Sequence, residues 1–87
     1  MKLVLLVSPL CEIALKAAVV ARKVAKELNI EFEEVSVTEE RGEKLALRLG
    51  VTLLPSYIVN GKLLHQGFLE EERLRDMLVS QGEKLES

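Results

Sequence analysis

The sequence predicts a small α/β domain in which helices cover the faces of one mixed β-sheet. Three patterns indicate this class: a continuous apolar run at residues 3–7, segments whose apolar residues recur every three or four positions, and an Asn60-Gly61 pair between two short strand-like segments. A chain of 87 residues is near the lower limit for a self-sufficient core. We therefore expect a single domain over residues 1–80, followed by a polar, frayed tail at 81–87.

The first half of the chain predicts a β-α-β unit. Residues 3–7 are continuously apolar, as in a strand that is buried on both faces. A helix follows over about 12–28, with an inward-facing apolar stripe that begins at Ile13. Residues 31–37 predict a second strand at the edge of the sheet, with Val37 facing inward. Because the crossover between the two strands is a helix, they are expected to be parallel with a right-handed connection.

The second half of the chain predicts a helix, a β-hairpin and a final helix. Thr38 is expected to cap the second helix, and Gly42 inside it weakens it by about 1 kcal/mol relative to alanine. Asn60-Gly61 is a strong type I′ turn signal, so the strands on either side of it pair antiparallel. A last helix is expected over about 70–80. The element order is therefore β-α-β-α-β-β-α.

The composition excludes several classes of function. Twelve basic and fourteen acidic residues are interspersed, without the clustered basic excess of a phosphate-backbone binder. The three aromatic residues are too few for a base-stacking platform; they are Phe32, Tyr57 and Phe68. One cysteine and one histidine exclude an internal disulfide and supply too few ligands for a tetrahedral metal site. We expect no nucleic-acid partner and no cofactor.

The N-terminal apolar run is too short for a signal peptide and far too short to span a bilayer. We therefore expect a cytoplasmic protein without a membrane partner. Thirteen of the fourteen acidic residues are glutamate, and the chain has only two asparagines and two glutamines. This composition is typical of thermophilic proteins.

Two separated motifs resemble those of the thioredoxin-like superfamily, in particular its short, glutaredoxin-sized archaeal and bacterial members. Residues 8–14 read Ser-Pro-Leu-Cys-Glu-Ile-Ala and are similar to the S-P-x-C-x-x-C active-site turn of that family. Residues 50–61 read Gly-Val-Thr-Leu-Leu-Pro-Ser-Tyr-Ile-Val-Asn-Gly and resemble the G-V-x-x-V-P-T-x-x-I-N-G block, whose proline is cis. Gly67 matches the glycine that follows the fourth strand. The resemblance covers nearly the whole chain and implies a four-stranded sheet in the order 2-1-3-4.

The resemblance implies thiol–disulfide exchange with Cys11 as the nucleophile. The position of the second, resolving cysteine holds Ala14. A mixed disulfide formed by Cys11 therefore needs an external thiol to resolve it, which favours a monothiol exchange protein. The expected partner is a disulfide-containing protein or a low-molecular-weight thiol.

Cys11 is expected at the start of the first helix. The N–H groups and the macrodipole at a helix N-terminus stabilise a thiolate, whereas the neighbouring Glu12 repels it, so a modest activation is expected. Outside this context, a lone cysteine is more often a small buried apolar residue.

The resemblance also implies a substrate groove beside Cys11. The third strand runs antiparallel to the first, so its beginning lies beside the end of the first strand. If the Leu54–Pro55 bond is cis, the backbone of Leu54 faces the thiol and can pair with an extended substrate by strand addition. The groove is expected to contain Ser8, Pro9, Leu10, Glu12, Leu54, Pro55 and Gly67.

Other interpretations stay open. The chain is alternatively a redox-inactive binding module that uses the same groove, or a protein whose resolving cysteine was engineered away. A glutathione or iron–sulfur carrier held by a dimer of Cys11 thiolates is a third interpretation, although Ser8 replaces a basic residue of the family's glutathione site. His65 is expected at the same end of the sheet, where a solvated side chain is its more common role. The substrate, the reductant and the oligomeric state are not predicted.

Overall fold

The computed structural model describes residues 1–86 and has the predicted element order. The elements are β1 (Lys2–Val7), α1 (Glu12–Glu27), β2 (Glu31–Ser36), α2 (Glu40–Leu49), β3 (Ser56–Val59), β4 (Lys62–Gln66) and α3 (Glu71–Glu86). The strands form one sheet in the order β2-β1-β3-β4, in which β1 is parallel to β2 and antiparallel to β3. The predicted fold class and strand order are therefore confirmed.

Two apolar clusters lie on opposite faces of the sheet. The larger cluster contains Leu3, Leu5 and Val7 of β1 together with residues of α1 and α3. The smaller cluster contains Val4 and Leu6 of β1 and is covered by α2. Because successive side chains of a strand point to opposite faces, β1 is buried on both sides, as its continuous apolar run predicts.

The face of α1 that packs on the sheet consists mostly of alanines. Its buried residues are Ala14, Ala17, Ala18, Ala21, Val24 and Ala25. Ile13 is 55% exposed, so the prediction that the inward stripe begins at Ile13 is wrong. The helix turns its smallest side chains toward the sheet, and the larger Ile13 stays at the surface in the first turn.

The connection from β2 to α2 differs from the prediction. The N-cap of α2 is Glu39, so the prediction that Thr38 caps this helix is wrong. The Thr38 hydroxyl instead shares a hydrogen bond of 2.7 Å with the hydroxyl of Ser36, and the Glu39 N–H donates to the Ser36 carbonyl oxygen at 3.1 Å. These bonds form a turn that ends β2 at Ser36, and Val37 lies beyond the strand, half-buried against the smaller cluster.

Gly42 allows α2 to approach the end of β2 closely. A Cβ at this position would lie 2.7 Å from the carbonyl carbon of Ser36 and still closer to its oxygen. Any larger residue therefore needs the helix or the strand to move. The low helix propensity of glycine is offset here by the close packing that it permits.

The turn between β3 and β4 is the predicted one, whereas the C-terminal tail is not. Asn60 and Gly61 have φ values of 49° and 83°, in the left-handed region that a type I′ turn requires. α3 continues to Glu86, so the tail predicted over 81–87 is helical as far as that residue. Position 87 lies outside the described residues.

We predict that Gly42→Ala lowers the free energy of unfolding by about 1–3 kcal/mol, the usual cost of overpacking, although alanine is the better helix former. Gly82→Ala in α3 is the matched control, because a Cβ there lies 3.4 Å from Cε of Met1, an ordinary contact. This control should stabilise the protein by up to about 1 kcal/mol. Urea unfolding measures both changes. A Gly42→Ala variant as stable as the wild-type protein would contradict the close approach of α2 to β2.

Candidate functional site

Cys11 follows a tight turn that connects β1 to α1. The carbonyl oxygen of Ser8 accepts a hydrogen bond from the Cys11 N–H at 3.0 Å, and the Ser8 hydroxyl oxygen accepts one from the Leu10 N–H at 3.2 Å. Pro9 occupies the second position of this four-residue turn, which suits its fixed φ. The turn therefore ends β1 and places Cys11 at the beginning of α1.

Cys11 is the N-cap residue of α1. Its backbone is extended, with φ −110° and ψ 102°, and its carbonyl oxygen accepts the N–H of Leu15 at 3.1 Å. The side chain makes no capping hydrogen bond and is partly buried against the larger cluster as a free thiol. The N–H groups of the first helical turn have no partner within the helix, so they can donate to a group bound beside the sulfur.

The loop before β3 is held by two side chains of the sheet. Oε1 of Gln66, at the end of β4, accepts hydrogen bonds from the N–H groups of Thr52 and Leu53 at 2.7 and 3.0 Å. The hydroxyl of the buried Ser56 donates to the carbonyl oxygen of Leu53 at 2.6 Å. Sequence reasoning missed Gln66 because an amide side chain at the end of an edge strand carries no distinctive signal.

Leu54 and Pro55 lie at the same end of the sheet as Cys11, where β1 ends and β3 begins. The Leu54–Pro55 peptide bond is cis, and the Pro55 carbonyl oxygen accepts the N–H of Gly67 at 2.7 Å. Neither the N–H nor the C=O of Leu54 has a hydrogen-bond partner among residues 1–83. Because β3 begins beside the last residues of β1, this open backbone segment lies next to the turn that carries Cys11. The structure thus brings the two sequence motifs together.

Exposed apolar side chains lie around this end of the sheet. Leu10 is 92% exposed in the turn, and Ile13, Leu53 and Phe68 are each about half exposed. Gly67, with φ 97°, brings the chain after β4 against the loop, since a Cβ there would lie 3.3 Å from Cδ2 of Leu53. We call Leu10, Ile13, Leu53 and Phe68 the apolar rim. Exposed apolar side chains grouped in this way are typical of an interaction site.

Ala14 is the residue that the sequence resemblance places at the position of the resolving cysteine. It is fully buried on the sheet-facing side of α1 and belongs to the same cluster that Cys11 packs against. Its methyl group brings no chemistry to the site. Since Cys11 is the one cysteine of the 87-residue chain, no disulfide can form within it.

His65 lies in β4, next to Tyr57 of β3. It pairs with Tyr57 across β3 and β4, and the centroids of the two rings are 6.0 Å apart. His65 is half-buried, so it is less exposed to solvent than expected. Burial raises the pKa of Tyr57 above its usual value, and the phenol oxygen accepts the N–H of Leu69 at 3.2 Å. Tyr57 therefore supports the segment after β4.

Among residues 1–83, whose side chains the structure describes, no three His, Cys, Asp or Glu side chains lie close enough together to hold a metal ion. The helices of this part of the chain also lack the combination of length and apolar character that crossing a bilayer requires.

The structure combines a four-stranded sheet in this order with a cysteine at the start of α1 and the open backbone of Leu54 beside it. This combination defines a thioredoxin-like protein. The model of the thioredoxin domain family matches residues 1–79, and the chain belongs to that family. Thiol–disulfide exchange is the general role of this family.

Individual relatives agree with this assignment. The "Probable Thioredoxin" of Archaeoglobus fulgidus is 35% identical over 74 residues, which cover 85% of this chain and 81% of that protein. Thioredoxin 1 from Thermosipho africanus has a similar fold, with a TM-score of 0.80 over the whole of both chains at 14% identity. Fasciola hepatica thioredoxin gives a TM-score of 0.70 at 25% identity over 91% of this chain and 78% of its own. The resemblance inferred from the two motifs is confirmed.

We predict that Gln66→Leu frees the loop before β3, because the N–H groups of Thr52 and Leu53 lose their common acceptor. The free energy of unfolding should fall by about 1–2 kcal/mol, the net worth of two hydrogen bonds. Hydrogen exchange followed by NMR should show faster exchange at these two amides. Gln66→Glu keeps the acceptor oxygens and should keep the protection. Equal protection in the wild-type protein and the leucine variant would contradict this role of Gln66.

Proposed function

We propose that this protein is a monothiol exchange protein in which Cys11 attacks disulfides and an external thiol completes each turnover. The observation that carries this proposal is the position of Cys11 at the start of α1, beside the open backbone of Leu54. Ala14, which by resemblance corresponds to the resolving position, has no thiol. The family's general exchange role supports it.

The reaction has three exchange steps. The Cys11 thiolate attacks one sulfur of the substrate disulfide, that S–S bond breaks, and the second substrate sulfur leaves as a thiolate. The thiolate of a low-molecular-weight thiol then attacks Cys11 in the mixed disulfide and releases the other substrate sulfur. A second molecule of the same thiol attacks the new adduct and restores Cys11. Two external thiols thus supply the two electrons and leave as their disulfide.

The proposed substrate is a disulfide in an extended peptide segment. The N–H and C=O of Leu54 are available to pair with a peptide backbone, which gives affinity without reading much of the sequence. The apolar rim adds contacts for non-polar side chains on either side of the substrate cysteine. Ser8, Pro9 and Glu12 border this groove through the turn and the first residue of α1.

A cytoplasmic location suits this chemistry. Reduced low-molecular-weight thiols are abundant in the cytosol, and the cycle consumes two of them for each substrate disulfide.

A second candidate function is a redox-inactive binding module. The apolar rim favours it, because such a surface binds a partner whether or not the thiol reacts. The two candidates differ in one respect: a module keeps its full function in a Cys11→Ser variant, whereas the exchange protein loses all turnover.

We predict that oxidised glutathione converts the wild-type protein to a one-to-one mixed disulfide at Cys11 and that reduced glutathione reverses it. Cys11→Ser should form no adduct, and glutathione-dependent reduction of a small disulfide should fall to the uncatalysed rate. Intact-mass spectrometry and a coupled glutathione assay measure the two effects. Equal rates for the variant and the wild-type protein would overturn the proposal and favour the binding module.

We also predict that Ala14→Cys forms an intramolecular disulfide with Cys11 and gains dithiol-dependent reductase activity, for example on insulin. Residues three apart within a helix have β-carbons about 5–6 Å apart, more than a disulfide spans. Cys11 is the N-cap residue with an extended backbone, outside the regular helix, so its β-carbon can approach that of residue 14 more closely. Because Ala14 is fully buried, the added sulfur should cost about 1–3 kcal/mol.

Ala18→Cys is the matched control for this variant. Ala18 is also buried in α1, but it lies seven residues from Cys11, about 10 Å along the helix axis, beyond the reach of a disulfide. In an oxidising glutathione buffer it should form no intramolecular disulfide, and its Cys11 should carry only a mixed disulfide with glutathione. If the folded Ala14→Cys variant also forms no intramolecular disulfide, Ala14 is not at the resolving position.

A further inference from the structure

A second groove lies on the face of the sheet opposite to the larger cluster and to Cys11. Its floor is formed by Val4 and Ile58, which are paired across β1 and β3 and belong to the smaller cluster. Its volume is about 670 Å³, within the range of small-molecule binding sites. Nothing in the proposed exchange chemistry uses this groove.

The groove exists because α2 covers only part of its face of the sheet. α2 packs mainly against β2, where Gly42 permits the close approach to Ser36. On the part of this face formed by β1 and β3, Val4 and Ile58 are only 8% and 1% exposed. Most of the accessible apolar surface beside the helix therefore belongs to the half-buried Leu45 and to the methylene stems of the basic side chains. One wall of the groove is therefore α2, and the other end is closed by Lys2 and by Gly61 of the hairpin turn.

The wall formed by α2 is basic. Arg41, Lys44, Leu45 and Arg48 line the groove at positions i, i+3, i+4 and i+7, which share one face of a helix. Together with Lys2, four of the twelve basic residues of the chain lie around this groove. We call it the basic groove.

The carboxylates near the basic groove balance only part of this charge. Glu33 bridges Arg41 and Lys2, and their hydrogen bonds lower the pKa of its carboxyl to about 2. Lys44 pairs with Glu40 at 2.9 Å. Arg48 makes no ion pair within the described residues. The groove thus has a local basic excess in a chain whose net charge is −2.

We propose that the basic groove binds an aliphatic carboxylate, with its apolar tail against Leu45 and the methylene stems of the basic side chains, and its carboxylate beside Arg48 and Lys44. Leu45 and these stems match a hydrocarbon tail, and the charged groups of the basic wall match one negative charge.

Two other kinds of ligand fit the basic groove less well. No aromatic side chain lines it, so a nucleobase finds no ring to stack on. β3 is paired on both edges, so its backbone cannot accept an extended peptide by strand addition.

Decanoate, below its micellar concentration, is the probe for this site. In a ¹H–¹⁵N NMR titration, saturable shifts are expected at Val4, Leu45, Ile58 and Gly61. Decyltrimethylammonium has the same tail with the opposite charge, and acetate has the carboxylate without the tail. Both should bind at least about tenfold more weakly, because each lacks one of the two matching features.

Variants test the assignment of the carboxylate to α2. Arg48→Gln and Lys44→Gln should each weaken decanoate binding about tenfold, the effect of one lost charge-assisted hydrogen bond. Arg73→Gln on α3 is the matched control: Arg73 is also exposed and makes no ion pair with the side chains of residues 1–83, and its replacement should leave binding unchanged. Arg48 and Lys44 are exposed, so their replacement should not alter the wild-type pattern of amide resonances.

Three outcomes would overturn the proposal. The first is equal binding of decanoate and decyltrimethylammonium, which indicates an unspecific apolar contact. The second is a set of shifts centred on the apolar rim, and the third is no saturable shift at all. Glutathione turnover of the same sample tests the exchange function separately, so failure of one proposal is distinguishable from failure of the other.

Discussion

Burial of β1 between two strands and two apolar layers determines where the candidate site lies. The strand pairs with β2 on one side and β3 on the other, and its side chains from Leu3 to Val7 are all buried. A strand held in this way cannot shift its register, because a slip by one residue moves every side chain to the other face. The end of β1 is therefore fixed, and with it the turn that carries Cys11. β3 begins beside the same end, so Leu54 is placed by the same pairing.

The two loops of the site are ordered by hydrogen bonds to their backbones. Ser8 closes the turn before Cys11 through its own carbonyl and hydroxyl oxygens. Gln66 and Ser56 hold the loop before Leu54 from the neighbouring strands. Because the loops are held through their backbone groups, the side chains of the apolar rim stay exposed. The site therefore combines a rigid frame with an apolar surface that a partner can cover.

Patterns within single segments were sufficient to predict the fold. The apolar run of β1, the helical periodicities and the Asn60-Gly61 turn predicted the element order, and the resemblance carried by the two motifs implied the strand order and the superfamily. Topology alone predicted that Cys11 and Leu54 lie at the same end of the sheet, because antiparallel pairing places the end of β1 beside the beginning of β3.

Features that depend on contacts between segments could not be predicted in the same way. Gln66 acts on a loop 13 and 14 residues earlier in the chain, and no local pattern marks such a contact. From the sequence alone, Gly42 only weakens α2. Its role in packing depends on the backbone of Ser36, which lies beside it in the structure. Ile13 fits an apolar stripe as well as the alanines do, and only the packing distance to the sheet favours the smaller side chains. The basic groove likewise depends on where α2 sits, which its sequence alone does not specify.

The single cysteine of this chain has a consequence for how its oxidation is observed. A protein with two neighbouring thiols can become oxidised and remain one unchanged polypeptide, because the bond closes within it. Here every disulfide that Cys11 enters must join the chain to another molecule, whether a substrate, a small thiol or a second copy. Disulfide formation and covalent complex formation are therefore the same event, and the molecular mass of the protein reports that event directly.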